Sequence, residues 1–164
     1  MTFSTVFKHR KRKIALILGC GLVVALLLSR CHVHFGYFAE DRAAAVQAET
    51  VVMQRFNAMQ FDKIYDDSSE AMKGVVTRDQ AVQSIRATFE RFGTISEDRE
   101  AAITCFPNQV RMVRWLKSSR GDELTQTSAW DTPGGEAKLI MMQISPGHQT
   151  VDLSLVNKHP CNSG

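Results

Sequence analysis

The feature that most constrains this chain is an uncharged apolar run, Ile14 to Ser29, that follows directly on a dense basic segment. As a helix, these 16 residues would cover roughly 24 Å. A bilayer core is about 30 Å thick, and the apolar and aromatic residues up to position 38 supply the missing length. The run is apolar on every face, which argues against a helix on the core of a soluble domain. We predict a basic segment over 1–13, a transmembrane anchor over 14–35 and an exported domain over 39–164.

The bases ahead of the run predict its orientation. By the positive-inside rule they stay in the cytoplasm, so we expect a single-pass protein of the inner (cytoplasmic) membrane whose C-terminal domain lies in the periplasm or outside the cell. Two alternatives remain open: a cleaved signal peptide, although Arg30 and Cys31 stand where small residues are expected, and lipidation at Cys20. The basic residues concerned are Lys8, Arg10, Lys11, Arg12 and Lys13.

The net charge of residues 39–164 argues against a nucleic-acid partner. Residues 39–164 carry 14 basic and 17 acidic side chains, so this part is slightly acidic. Arg111, Arg114 and Lys117 are spaced by three, and on a strand they would alternate between faces instead of forming one phosphate-binding stripe. We therefore predict a membrane and a protein partner, or a second copy of the chain, and no nucleic acid.

Helical spacing dominates the first half of the exported domain. From Ala39 to about Phe61, apolar residues recur every three or four positions, with Glu49 among the polar positions between them. A turn or short helix follows over Asp62 to Asp67. Thr77 and Gln80 form a capping box for a further helix that ends at Gly93.

The apolar period changes to two after Gly93, which predicts strands. Turn residues separate five such segments, and helices followed by strands without alternation are typical of an α+β domain. We predict two to three helices on a curved, four- to five-stranded antiparallel sheet. The predicted strands are Arg99–Phe106, Gln109–Lys117, Glu123–Trp130, Glu136–Ile144 and Gln149–Val156.

This order of elements resembles the small exported NTF2-like (cystatin-like) domains of bacterial envelope proteins. The resemblance covers about residues 40–156 and lies in Val52-Met-Gln-Arg-Phe56, Phe61-Asp-Lys-Ile-Tyr65 and Glu90-Arg-Phe-Gly93. It implies a space between helices and sheet that holds a ligand in some members and catalytic groups in others, while many members are non-catalytic. Fold alone does not choose between these functions.

Catalytic chemistry has little support in the sequence. Tyr65 and Asp66 are the best acid–base candidates, but Asp66 lies in a turn sequence where Asp is common for local reasons. Cys31-His-Val-His34 lacks a second Cys/His pair at zinc spacing. Nucleotide-binding and nucleophile motifs are absent. We predict no catalytic, cofactor-binding or metal-binding residues, and hence not an enzyme.

A pocket between helices and sheet would be lined by residues from both layers. Arg114 shares a strand face with apolar residues, so it is either buried in an ion pair or directed into this pocket, although exposure at a sheet edge is the commoner outcome for arginine. A small apolar ligand or a lipid is the alternative function that such a pocket would serve. The pocket candidates are Phe56, Tyr65, Phe89, Met112 and Arg114.

The opposite face of the predicted sheet is a candidate interaction surface. If Met112 and Leu116 pack under the helices, Trp115 points outward between basic neighbours, a combination enriched at protein interfaces. Both faces of the segment 138–144 are apolar, so one face of Leu139/Met141 or of Ile140/Met142 should lie beside it. The surface candidates are Arg111, Val113, Trp115 and Lys117.

Two of the four cysteines fall in the predicted exported domain. In an oxidising compartment Cys105 and Cys161 could form a disulfide, and two unpaired core thiols are the alternative. With the anchor, these features predict a membrane-held, non-catalytic interaction module, as in the single-pass NTF2-like subunits of secretion-system inner-membrane complexes.

Topology is tested by fusing a reporter after Gly164 that is active only outside the cytoplasm. The basic residues before Ile14 should keep the N-terminus inside, so the fusion should be active and the N-terminus intact. Activity of a cytoplasm-dependent reporter at the same position, or a mature chain beginning after Ser29, would contradict the predicted anchor.

Overall fold

The computed structural model describes residues 38–149 and Cys161. The predicted basic segment and anchor, Cys31–His34 and nearly all of the predicted strand Gln149–Val156 lie outside these residues. Within the described residues, no helix is both long enough and apolar enough to cross a membrane.

Four helices precede four strands in the described chain, and the fold is α+β as predicted. The strands form one antiparallel sheet in the order β1-β2-β3-β4, each paired with the next along the chain. The helices are α1 (Ala39–Asn57), α2 (Phe61–Asp66), α3 (Glu70–Val75) and α4 (Arg78–Phe92), and the strands are β1 (Ile95–Phe106), β2 (Gln109–Ser118), β3 (Glu123–Asp131) and β4 (Lys138–Pro146).

The helix count corrects the expectation of two to three helices. Helix α1 ends at Asn57 instead of continuing to Phe61, and Met59 has a φ of 57°, which a right-handed helix cannot accommodate. Helix α3 was not predicted, because its sequence has no long apolar period. Its first turn is held by Ser69, whose hydroxyl accepts a hydrogen bond from the Met72 N–H.

The predicted limits of α4 are confirmed. Thr77 and Gln80 form both hydrogen bonds of the capping box. The helix ends at Gly93, whose N–H donates to the Phe89 carbonyl and whose φ is 79°. A Cβ at this position would lie 2.8 Å from the Ser119 Oγ, so the close approach of the β2–β3 turn also requires glycine here.

The core lies between the helices and one face of the sheet. Val110, Met112 and Leu116 of β2 are buried on this inner face, as their alternation predicted. Leu124 and Trp130 of β3 pair with Leu116 and Val110 and continue the same layer. The outer face is defined here as the opposite face, which carries the odd-numbered residues of β2.

A β-bulge in β4 overturns the predicted pairing of Leu139 with Met141 on one face. Leu139 pairs with Trp130 and Met141 with Ala129, so Ile140 is an extra residue without a partner in β3. The extra residue reverses the inside–outside alternation of the side chains that follow it. Leu139 is therefore buried in the core, whereas Met141 lies on the outer face and is 42% exposed.

Cys105 and Cys161 are joined in a disulfide, with 5.2 Å between their α-carbons. Cys105 pairs with Val110 at the far end of β1, and both cysteines are buried in the core. The bond ties the C-terminal part of the chain to the first strand across a sequence separation of 56 residues. The disulfide stabilises the fold because it lowers the conformational entropy of the unfolded chain more than that of the folded chain.

Replacing Cys105 and Cys161 together by serine should lower the free energy of unfolding by about 4 kcal/mol, the chain-entropy value for a loop of this size. The measurement is denaturant unfolding of the full chain under non-reducing conditions. The matched control is the double variant Cys20→Ser, Cys31→Ser, which leaves the bond in place. Recovery of Cys105 and Cys161 as free thiols from native envelope material would contradict the bond.

Candidate functional site

Three of the pocket candidates pack in the core. The Phe56 and Phe89 rings meet edge to face with centroids 5.5 Å apart, and Phe61 lies 6.2 Å from Phe56 and 5.6 Å from Phe89. Phe56 and Met112 have no exposed surface. The rings therefore pack against one another as part of the core, because aromatic side chains bury a large area at close packing.

Tyr65 and Asp66 hold the helices together. The Tyr65 hydroxyl donates to the Val76 carbonyl at 3.1 Å and ties α2 to the segment before α4. Asp66 accepts from Arg78 Nε at 3.0 Å, and Arg78 also contacts Asp62 at 2.9 Å. The hydrogen bond from Arg78 lowers the pKa of Asp66, so this carboxylate is a stable anion and not a proton acceptor near neutral pH.

Arg114 is paired with the Asp98 carboxylate of the neighbouring strand β1, and its side chain is only 13% exposed. An ion pair, as in one of the two alternatives drawn from its apolar strand face, is the arrangement found, but the pair is only partly buried because Asp98 is exposed. Exposure at a sheet edge, the commoner outcome for arginine, is wrong here, because β2 is an internal strand with β1 and β3 on its two sides.

The Glu49 carboxyl lies near this ion pair and is buried, although the sequence predicts Glu49 among the polar positions of the helix. Glu49 of α1 is 1% exposed. One of its oxygens accepts from Gln126 Nε2 at 2.6 Å and the other from Ser128 Oγ at 2.8 Å. Ser128 in turn accepts from Trp130 Nε1 at 3.0 Å. These four residues form the Glu49 network, which joins the middle of α1 to β3.

The spacing of the buried residues along α1 indicates that Glu49 is buried. Glu49 follows Ala45 by four residues and precedes Val52 by three, so it belongs to the buried stripe of α1. Its burial is possible because Gln126 and Ser128 supply donors from the inner face of β3. The sequence does not predict that Gln126 and Ser128 face inward, since polar residues in a strand usually face solvent. The strand pairing shows it.

The electrostatics of the network raise the pKa of the Glu49 carboxyl. Burial raises the pKa of Glu49 above its ordinary value, and the Asp98 carboxylate acts in the same direction. The hydrogen bonds from Ser128 and Gln126 and the charge of Arg114 oppose the rise without cancelling it. Among the described residues, no donor bonds Gln126 Oε1, so a turned amide could accept a hydrogen bond from a protonated Glu49.

Two grooves open near this network. The first, of about 580 Å³, lies among α1, α2, α3 and the start of β4, with Trp130 at its base and charges of both signs at its edge. The second, of about 980 Å³, is bounded by α3, α4 and strands β2 to β4, and Ser128 lines it. We call the second one the Met groove, after Met72, Met141 and Met142 in its lining.

On the outer face, Trp115 is held between two basic side chains. The Arg99 guanidinium lies 4.9 Å from the centre of the Trp115 ring, and the His148 ring stacks on it at 5.1 Å. The turn after β4 positions His148, because Thr125 Oγ1 donates to the Gly147 carbonyl and accepts from the Gln149 N–H. Arg99, Trp115 and His148 form the outer-face cluster.

The other surface candidates lie on the same strand. Arg111 and Lys117 are exposed, Val113 is half-buried, and Lys117 contacts Glu97 at 3.5 Å. Arg111 lies over the Phe106 ring at 5.1 Å. The structure thus places these side chains on one face, while their role in binding stays a prediction. Among the described residues, no group of three His, Cys, Asp or Glu side chains could hold a metal ion.

No protein-family model, curated protein or solved structure matches this chain.

Replacing Glu49 by glutamine should remove a pH dependence of stability. In the unfolded chain the carboxyl ionises near pH 4.5, whereas in the folded protein its pKa is higher. The unfolded state therefore binds fewer protons in this interval, and stability falls as pH rises above about 4.5 until the folded-state pKa is passed.

Glu49→Gln should have a flatter profile of stability against pH than the parent above pH 4.5, because it carries no titrating carboxyl at this position. Glu49→Ala leaves Ser128 and Gln126 without an acceptor and should lose about 2–4 kcal/mol at pH 5. Denaturant unfolding across this pH range measures both. A parent profile identical to that of Glu49→Gln would show that the carboxyl titrates normally.

Proposed function

We propose that this protein is a non-catalytic, extracytoplasmic interaction module with an NTF2-like fold, held at the inner membrane by its N-terminal apolar segment. Its partner is a protein, or a second copy of the chain, within an envelope or secretion assembly. The observation that carries the proposal is the outer-face cluster, in which an aromatic ring lies between the Arg99 guanidinium and the His148 imidazole on a sheet face away from the helices.

The composition of this face supports binding to protein. Trp and Arg are the side chains most enriched where interface energy is concentrated, because they bring large contact area with donors at their edges. Here Arg99 and His148 limit the rotation of Trp115, so little conformational freedom is lost on association. Arg111 extends the basic character along β2.

The inner side of the sheet supports a non-catalytic role. Phe56, Phe61 and Phe89 occupy the space where acid–base groups would have to face a substrate. Glu49, whose raised pKa would suit a general acid, has both oxygens engaged by Gln126 and Ser128. These contacts serve packing of α1 on β3.

Replacing Trp115 by glutamate tests the outer face. The variant loses one stacking and one cation–π contact, so its thermal midpoint should fall by no more than about 4 °C. Self-association, or photocrosslinking from position 117 in intact cells, should weaken at least tenfold, because the aromatic anchor is replaced by a charge.

The matched control is Gln83→Glu, which introduces the same charge at an exposed position of α4. Sedimentation of the full chain in nanodiscs and crosslinking yield measure association, and calorimetry measures the midpoint. Unfolding of Trp115→Glu would make Trp115 a structural residue, and unchanged association and crosslinking would exclude this face as the interface.

A further inference from the structure

Strand β4 lies at one edge of the sheet, and within residues 38–149 no strand pairs with its far side. The other edge strand, β1, carries an unbroken run of charged residues from Glu97 to Glu100, which protects an edge against pairing with a further strand. Strand β4 has no charged residue from Leu139 to Ser145, and an uncharged apolar edge favours such pairing. The two edges of the sheet therefore differ, and β4 is the one suited to a partner strand.

Hydrogen bonds in the sheet show which backbone groups of β4 point away from β3. The Gly147 N–H donates to the Glu123 carbonyl, in register with the pairs that precede it in β4. Bonded and non-bonded pairs alternate along an antiparallel ladder. The N–H and carbonyl groups of Met142 and Ile144 therefore point away from β3, toward the edge of the sheet.

Both ends of this edge are closed to further pairing. Near the start of β4, the Ser69 N–H donates to the Leu139 carbonyl at 3.0 Å, so this outward carbonyl already has a partner. Near its end, Pro146 has no N–H to donate. Among the described residues, the backbone groups that remain for a partner strand are those of Met142 and Ile144.

We propose that β4 pairs antiparallel with β4 of a second copy of this chain, around a two-fold axis at Gln143. In this register Met142 of one copy lies opposite Ile144 of the other, and the N–H of each donates to the carbonyl of the other. All the remaining edge groups of both copies are then bonded. A second uncharged edge complements this one in charge, whereas β1 of a second copy would set charged side chains against apolar ones.

The side chains of this strand fit the same register. Met142 and Ile144 are half-buried against the core, and they would be cross-strand neighbours between the copies on the helix side. Gln143 is exposed and would meet its own symmetry mate on the other side of the sheet. It would do so in a non-bonded pair, where opposite side chains are closest, and two amides supply both donors and acceptors.

This edge is separate from the outer-face cluster, and the proposal does not rest on the proposed function. A dimer paired through β4 would still present the Trp115 face of each copy. Trp115→Glu should therefore weaken contacts made by the outer face and leave contacts across position 143 unchanged. Failure of either proposal is thus distinguishable from failure of the other.

The first test is disulfide crosslinking of the full chain in intact cells, in the Cys20→Ser, Cys31→Ser background. Gln143→Cys should give a disulfide-linked dimer on mild oxidation, because α-carbons in a non-bonded pair lie about 4.5 Å apart, within the range of a disulfide. The control is Met141→Cys, an exposed position that would lie about 13 Å from its own symmetry mate in this register. Equal dimer yield from both variants, or none from Gln143→Cys, would overturn the proposal.

The second test reverses charge at the two-fold axis. Two differently tagged full chains are co-expressed, and the yield of one on purification of the other is measured. Gln143→Lys in both chains, or Gln143→Glu in both, should lower this yield by about fivefold or more, because like charges would face each other across the axis. Gln143→Lys in one chain with Gln143→Glu in the other should restore the yield to within about twofold of the parent.

The matched control is Gln83→Lys in both chains, which adds the same charge at an exposed position of α4 and should leave the yield unchanged. Because Gln143 is exposed, these variants should keep the thermal midpoint of the parent. An equal loss with Gln83→Lys would show a non-specific effect of charge and overturn the proposal. So would a mixed Lys and Glu pair that stays as weak as the like-charged pairs, since another protein at this edge could not produce the recovery.

Discussion

Burial of the Glu49 carboxyl is the constraint on which the arrangement of helix and sheet depends. A carboxyl removed from water must regain its hydrogen bonds, and only Gln126 and Ser128 of β3 provide them. This requirement fixes both the rotation of α1 about its axis and its position along the strand. A shift of β3 by one residue would turn both donors to the outer face and leave the carboxyl without partners.

Packing of aromatic rings between the helices and the sheet affects where other molecules can bind. Because Phe56, Phe61 and Phe89 pack against one another, the sites open to other molecules lie at the margin of the core and on the outer face. The Met groove lies on the helix side of strands β2 to β4, and the outer-face cluster lies on the opposite side of the sheet.

The bulge at Ile140 places Leu139 and Met141 of β4 on opposite faces of the sheet. Without the extra residue, Leu139 and Met141 would share a face and both would lie in the core or both outside it. The bulge keeps Leu139 opposite Trp130 and turns Met141 outward beside Ala129. One inserted residue therefore buries Leu139 in the core and leaves Met141 exposed on the outer face.

Local sequence patterns determined the α+β order, the capping box at Thr77, the end of α4 at Gly93 and the burial of Val110, Met112 and Leu116, because each depends on neighbours a few residues away. Tertiary structure alone decided the partner of Arg114, the partners of the buried Glu49 and the bulge at Ile140. These features depend on which side chains meet across 16 to 79 residues of chain, and a one-dimensional period carries no such information. The anchor is the converse case: the apolar run after Lys13 predicts it from composition alone, since the bilayer responds to length and hydrophobicity and not to tertiary contacts.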